Sequence, residues 1–392
     1  MNPTKIIGNI VTPLRVIHEG EVSFENGIIT YVGKARTDNA SYNIIDCRGL
    51  YVTPGFVDVH LHGGGGADFL DGDTDAFLIP AKAHARHGTT TLLPTTSAGT
   101  DDDLFLFFDN YKKCLPLNSE GACMPGVHLE GPYFSVEQRG AQPLQFLKNP
   151  TPEHYIKILD YCDKIIRVDC ACELEGAMEL GDELYKRGIV ASIAHTDAIY
   201  EQTLEAFEHG YTHLTHFYSG MSQLVRKNSY RFPGVIEAGY ILDDFTVEII
   251  ADGCHLPPSL LRYIYKAKGA DKVCLTTDSS RGEMPGKGNL TILGSLKNGS
   301  ECIIEDGVAK VPDRSCFAGS IATTDRLVRN MLQHADCGIC DAVKMMTRTP
   351  AVTHNLKGKG ILVTGFDADI TVFDENVDIK YTIVGGNTVY RK

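Results

Sequence analysis

A regular beat of strand-like and helix-like segments through the middle of the chain constrains the fold more than any other feature. Strand patterns fall at 55–62, 89–94, 126–130, 165–170, 190–195, 212–216, 246–251 and 272–277, with helical patterns between them at 75–87, 152–161, 176–187, 200–208 and 258–268. Parallel neighbours need long crossover connections, and a helix is the usual one. Eight strands separated by helices therefore point to an α/β architecture, the closed (β/α)8 TIM barrel. An open doubly wound sheet is the competing arrangement.

The two ends of the chain read differently. Short β-like runs at 5–11, 19–24, 27–32 and 44–46 are joined by turns, with Glu25-Asn26-Gly27 as a hairpin signal. Further strands at 368–373, 379–384 and 388–391 flank the turn Gly385-Gly386-Asn387. A small β domain made from residues 1–53 and 356–392, with a barrel of 54–355 inserted between, accounts for both. The length of 392 residues suits one large domain with a small companion.

Composition narrows the function. A formal charge of −13 disfavours nucleic acid as a partner, since backbone binding needs a basic footprint. It leaves room for a small anionic substrate held by a local cluster such as Arg226, Lys227 and Arg231. No apolar run approaches the roughly 18 residues of a membrane span, and residues 1–9 lack the form of a signal peptide. A cytoplasmic protein is expected. There the 12 cysteines stay as thiols, and the lone Cys337-Gly338-Ile339-Cys340 reads as packed or surface thiols.

A barrel of this kind gathers its chemistry where strands end and βα loops begin. His60 and His62 end the first strand, with Asp58 on the same face. Glu130 ends the third strand, His195 the fifth, His216 the sixth and Asp278 the eighth. Singly, His195 fits a core histidine, Glu130 a cap and Asp278 a turn. Together, four imidazoles and two carboxylates converging on one mouth point to a divalent metal site. Nitrogen and oxygen ligands without thiolates suit zinc, iron, manganese or cobalt.

The strings Pro54-Gly55-Phe56-Val57-Asp58-Val59-His60-Leu61-His62, His128-Leu129-Glu130-Gly131-Pro132, Ala194-His195-Thr196, Ala251-Asp252-Gly253-Cys254-His255 and Thr277-Asp278-Ser279 resemble the amidohydrolase superfamily. Within it, the closest resemblance is to deacetylases of N-acetylated hexosamine phosphates. The resemblance covers nearly the whole chain and implies a (β/α)8 barrel with a small β-sandwich domain. It makes Glu130, His195 and His216 the principal metal ligands and assigns His60 and His62 to a second ion, so one or two ions are implied. It makes Asp278 the catalytic base and then acid, and gives His255 contact with the substrate amide. Ala141, Phe317, Ala318, Gly319 and Ser320 match positions that contact the sugar phosphate. Ser320 also reads as an N-cap of a helix starting near Ile321.

The implied reaction is hydrolysis of the acetamido group of N-acetylglucosamine 6-phosphate, and a homodimer is expected. Relatives that use a carboxylated lysine on the fourth strand differ, since that strand here ends Asp169-Cys170-Ala171-Cys172-Glu173. Around the phosphate the pattern departs further. Ser219-Gly220 stands where the family commonly has Asn-Ala, and Arg226 sits where an arginine reaches in from a partner subunit. Arg281 is a second candidate for the sugar or phosphate. These departures leave open the galactosamine epimer, as well as a cyclic amidase or deaminase.

Overall fold

The computed structural model of the chain describes residues 3–37, 42–282, 284 and 288–392. Eight parallel strands form the central sheet in sequence order: Phe56–Leu61, Thr89–Thr96, Val127–Leu129, Ile165–Cys170, Val190–Ile193, Tyr211–Leu214, Thr246–Ile249 and Val273–Leu275. The last strand returns to the first just beyond its end. Asp278 N donates to His60 O at 2.9 Å, and His62 N donates to Ser279 O at 2.8 Å. The barrel beat read from the sequence is thus correct, and the open sheet is excluded.

Most strand residues are buried on both faces, as in Thr89–Thr96, because helices cover the outside and side chains fill the lumen. Pro152–Tyr161 shows why the helices form: Thr151 precedes Pro152 at the first turn, and Tyr155, Ile158 and Leu159 make one buried stripe. Ala177–Arg187 buries Ala177, Leu180, Gly181 and Leu184 and stops at Gly188, whose φ of +69° suits a left-handed C-terminal cap. The helix nearest the expected start at Ile321 is Thr324–His334, preceded by Thr323. Ser320 is therefore not its N-cap. Its hydroxyl instead donates to Thr277 O at 2.6 Å and accepts from Ala322 N at 2.9 Å, pinning the returning chain to the eighth strand.

Both chain ends contribute to one seven-stranded sheet. Asn43–Pro54 lies between Thr4–Val11, its parallel neighbour, and Ile370–Phe373, its antiparallel one. The sheet folds over on itself: Ile28 bridges to Asp367, and Ala368 N donates to Gly27 O at 2.7 Å. Ile6, Val22, Val52, Ile370 and Val372 form the core between its halves. Asn43–Pro54 runs directly into the first barrel strand through Gly55. A Cβ at Gly55 would lie 2.0 Å from Thr90 Oγ1, so only glycine fits the junction.

One element was not anticipated. After the eighth strand, a three-stranded antiparallel sheet of Leu290–Leu293, Ser300–Glu305 and Val308–Lys310 stands over the barrel mouth.

Candidate metal centre and active site

The expected ligands meet. Glu130, His195 and His216 form one group of donor atoms within 4.8 Å of one another, and His60, His62 and Glu130 form another. All five side chains are buried. His195 Nε2 and His216 Nε2 lie 3.1 and 3.2 Å from Glu130 Oε1 and 3.2 Å from each other. His62 Nε2 lies 3.3 Å from the other oxygen, Glu130 Oε2. Glu130 therefore stands between the two groups, Oε1 facing His195, His216 and His60 and Oε2 facing His62.

The histidine rings are set by their second nitrogens. His195 Nδ1 donates to Gln138 O at 2.8 Å and His216 Nδ1 to Ser219 O at 3.1 Å. Because each Nδ1 keeps its proton for that carbonyl, Nε2 is the nitrogen that gives up a proton to offer its lone pair to a cation, as a metal-binding imidazole must. His195, His216 and Asp278 all take positive φ, at 46°, 28° and 46°. Such conformations are uncommon for residues other than glycine and cluster at functional sites.

The electrostatics are those of a cluster that calls for positive charge. Burial opposes ionisation of Glu130, yet hydrogen bonds from His195 and His216 and the nearby His60 ring hold it well below the usual carboxylate range. Burial likewise works against a charged His62, but Asp278 and Glu130 pull its pKa well above the ordinary value. His216 is raised to about 9 as Glu130 outweighs its burial. His60 Nε2 is buried without a hydrogen-bond partner, 3.5 Å from Asp278 Oδ1 and 3.6 Å from Glu130 Oε1. Carboxylates this close to inward-facing imidazole nitrogens fit a divalent cation, which takes the place of the shared protons.

A cavity of about 480 Å³ opens onto this cluster. Asp278, His255, Ala141, Ser219, Gly220 and Gly319 line it, with Phe317 at its edge. Asp278 lies 3.3 Å from His62 Nε2; burial raises its pKa, but His60 and His62 outweigh that and hold it below the ordinary value. His255 is oriented by Asp252, whose Oδ2 accepts from Nδ1 at 2.9 Å, and its ring packs on Phe317 at 4.6 Å.

Other expected contacts fall elsewhere. Ala318 packs with Leu293, Cys302 and Ala309 beneath the inserted sheet, and Ser320 is fully buried. Arg281 is turned away from the cavity, its guanidinium gripping Asp71 in two 2.8 Å bonds and the carbonyls of Ile292 and Gly294. Arg226 lies on an exposed hairpin, Val225–Lys227 paired with Tyr230–Phe232, outside the cavity wall. Asp58 is no ligand either. It ties the first strand to the eighth through Thr276 and Thr277.

The lining residues that escaped the sequence reading include Gln142, Lys310 and Arg314. Gln142 Nε2 donates to Glu130 Oε2 at 2.6 Å, and Lys310 and Arg314 reach the cavity from the inserted segment. Gln142 lies in irregular chain, and an isolated glutamine carries no spacing signal. Lys310 and Arg314 depend on the sheet that was not foreseen.

Comparison with known proteins decides the family. The pattern of the Amidohydrolase family matches residues 51–389. The chain belongs to the amidohydrolase family. An N-acetylglucosamine-6-phosphate deacetylase of Lysinibacillus sphaericus is 33% identical over 347 residues, covering 87% of this amidohydrolase and 86% of the relative. One of Bacillus subtilis is 30% identical over 387 residues, covering 97% and 95%. Among solved structures, a mutant Mycobacterium smegmatis N-acetyl-D-glucosamine-6-phosphate deacetylase in complex with N-acetyl-D-glucosamine-6-phosphate superposes with a TM-score of 0.90 at 27% identity. It covers 99% of this chain and 100% of that one. Among the described residues, no helix of this amidohydrolase is long and apolar enough to cross a membrane.

Proposed function

We propose that this amidohydrolase hydrolyses the acetamido group of N-acetylglucosamine 6-phosphate to acetate and glucosamine 6-phosphate. The observation that carries the reading is Asp278, a buried carboxylate on the cavity wall that belongs to neither ligand group yet lies beside the second. The relatives named above support the substrate.

Glu130, His195 and His216 would hold one divalent ion, and His60, His62 and Glu130 another. Zinc, iron, manganese or cobalt suits these donors. When bound, such an ion supplies Lewis acidity and acidifies water, whose pKa falls from about 16 towards about 7. Asp278, a carboxylate on the cavity wall 3.3 Å from His62 Nε2, takes the proton from the attacking water. As the C–N bond breaks, Asp278 returns that proton to the leaving nitrogen. His255, held through Nδ1 by Asp252, would face the carbonyl oxygen with Nε2, and donating there as negative charge develops requires the doubly protonated ring.

Ala141, Phe317 and Gly319 would contact the sugar, and the backbone at Ser219 and Gly220 the phosphate. Arg226 would complete the phosphate site from a second copy of the chain. The hairpin that carries it exposes Val225, Tyr230 and Phe232, with Leu224 beside them, an apolar surface suited to a homodimer. A cytoplasmic location, where the free cysteines stay reduced, fits the same reading.

One observation favours a second substrate. Gly220 has a φ of +58°, and a Cβ there would lie 2.9 Å from both Gln138 O and His195 Nδ1, so the alanine that the family commonly carries there would not fit this loop. The galactosamine epimer is the corresponding alternative. Acetate release from the 6-phosphates of N-acetylglucosamine and N-acetylgalactosamine tests both. The glucosamine substrate is expected to have the higher kcat/KM, and no acetate from it above a chelator-treated control refutes the assignment.

A further inference from the structure

Beneath the ligands, the barrel lumen is filled by charge rather than by apolar side chains. Arg167 and Asp169 from the fourth strand, Glu248 from the seventh and His128 from the third are all fully buried. Arg167 donates from Nε to Asp169 Oδ1 at 2.8 Å, from Nη2 to Thr215 Oγ1 at 2.7 Å and from Nη1 to Glu248 Oε2 at 2.5 Å. His128 Nε2 lies 2.9 Å from Asp169 Oδ1.

The second oxygen of Glu248 points up, towards the ligands. Its Oε1 accepts from His60 Nδ1 at 2.8 Å and from the backbone N–H of His216 at 3.2 Å. One carboxylate therefore touches a member of each ligand group. A carboxylate can only accept, so the His60 proton must sit on Nδ1, leaving the unpartnered Nε2 to face Glu130 and Asp278. A buried ion pair is seldom the most stable filling for a core, since apolar groups of the same volume commonly do as well or better. Its charge here is spent on the ligands above it.

We propose that Glu248, held in place by Arg167, is the positioning residue that orients His60 towards the second-ion position and anchors the His216 backbone, coupling the two ligand groups. The inference rests on the metal reading of the preceding subsection. Because the ring of His60 depends on Glu248 directly and His216 only through its backbone, the His60–His62–Glu130 group is the more sensitive of the two.

The test uses the full-length protein stripped with chelator and titrated with zinc, with bound ion counted by elemental analysis. Wild type is expected to take two ions. In Glu248→Gln the weaker-bound ion should lose affinity about 10- to 100-fold, the range for an outer partner of a metal ligand, while the other is retained. Glu248→Asp keeps the charge but is one methylene short of spanning Arg167 and His60, and should show the same loss. In the zinc-loaded wild type, nitrogen-15 spectra of the histidines should place the His60 proton on Nδ1, a readout independent of whether either variant folds. Two ions bound as tightly in a folded variant as in wild type, or a thermal midpoint lowered with no change in ion binding, overturns the proposal, as does a His60 proton on Nε2. A wild type that takes only one ion removes the coupling role, whereas one that takes none removes the metal reading beneath it.

Discussion

Asp278 is where the chemistry concentrates. If it serves as base and then acid, Asp278→Asn should lower kcat by about two to four orders of magnitude with KM little changed, because the amide keeps the shape but cannot take the proton. Near-normal turnover in a steady-state assay would remove it from that role. His216 makes a prediction of different kind. In the ion-free protein its imidazole holds a proton up to about pH 9, because Glu130 favours the charged ring, and that proton must leave before Nε2 can bind a cation. Apparent metal affinity should therefore rise with pH up to about 9, with proton release on binding below it. Calorimetric titrations in buffers of different ionisation enthalpy read that release directly, and a pH-independent affinity would contradict it. At this scale the sequence was legible wherever a residue closed a strand: His60, His62, Glu130, His195, His216 and Asp278 all converge as the barrel register requires. Arg281 was misplaced because proximity to Asp278 in sequence says nothing of side-chain direction, and Asp71, some two hundred residues earlier, captures it.

The elements repeat this pattern. Strands and helices with one clear period were readable almost to the residue, as with Ile165–Cys170, Pro152–Tyr161 and Pro258–Lys268. The inserted sheet of Leu290–Leu293, Ser300–Glu305 and Val308–Lys310 was not, since its partly exposed short strands lack a sustained alternation. The terminal sheet was legible as β structure but not in its electrostatics. Glu21, buried there, pairs with Lys5 at 3.3 Å and Arg36 at 2.7 Å. Burial opposes its charge, but hydrogen bonds from Arg36, Ser23 and Lys5 lower its pKa from 4.5 to about 2. A carboxyl depressed in the folded state stabilises above its unfolded pKa, and that stability disappears as pH falls from about 4.5 to about 2. Glu21→Gln should cost about 1 to 2 kcal/mol near neutrality, allowing for solvent screening around Arg36, with the gap closing across that window. Denaturant unfolding of both proteins against pH measures it, and a gap that widens in acid would contradict the assignment.

On the scale of the whole molecule, the terminal sheet hands the chain to the barrel through Gly55, and the barrel presents one mouth to the substrate. Within one chain, the cation carried by the Arg226 hairpin lies outside that mouth. If a second copy supplies it, Asp278→Asn and Arg226→Ala chains, each inactive alone, should regain up to about a quarter of wild-type activity after subunit exchange, since random pairing leaves one intact site in half of the dimers. No recovery after confirmed exchange would show that Arg226 serves its own chain or none. Metal-dependent deacetylation at the Glu130 cluster is tested by acetate release from N-acetylglucosamine 6-phosphate by chelator-stripped protein as zinc is added back. Acetate release should be absent from stripped protein and rise to a plateau by two equivalents per chain. Turnover that is already full without added ion, or that never appears with it, would contradict the account.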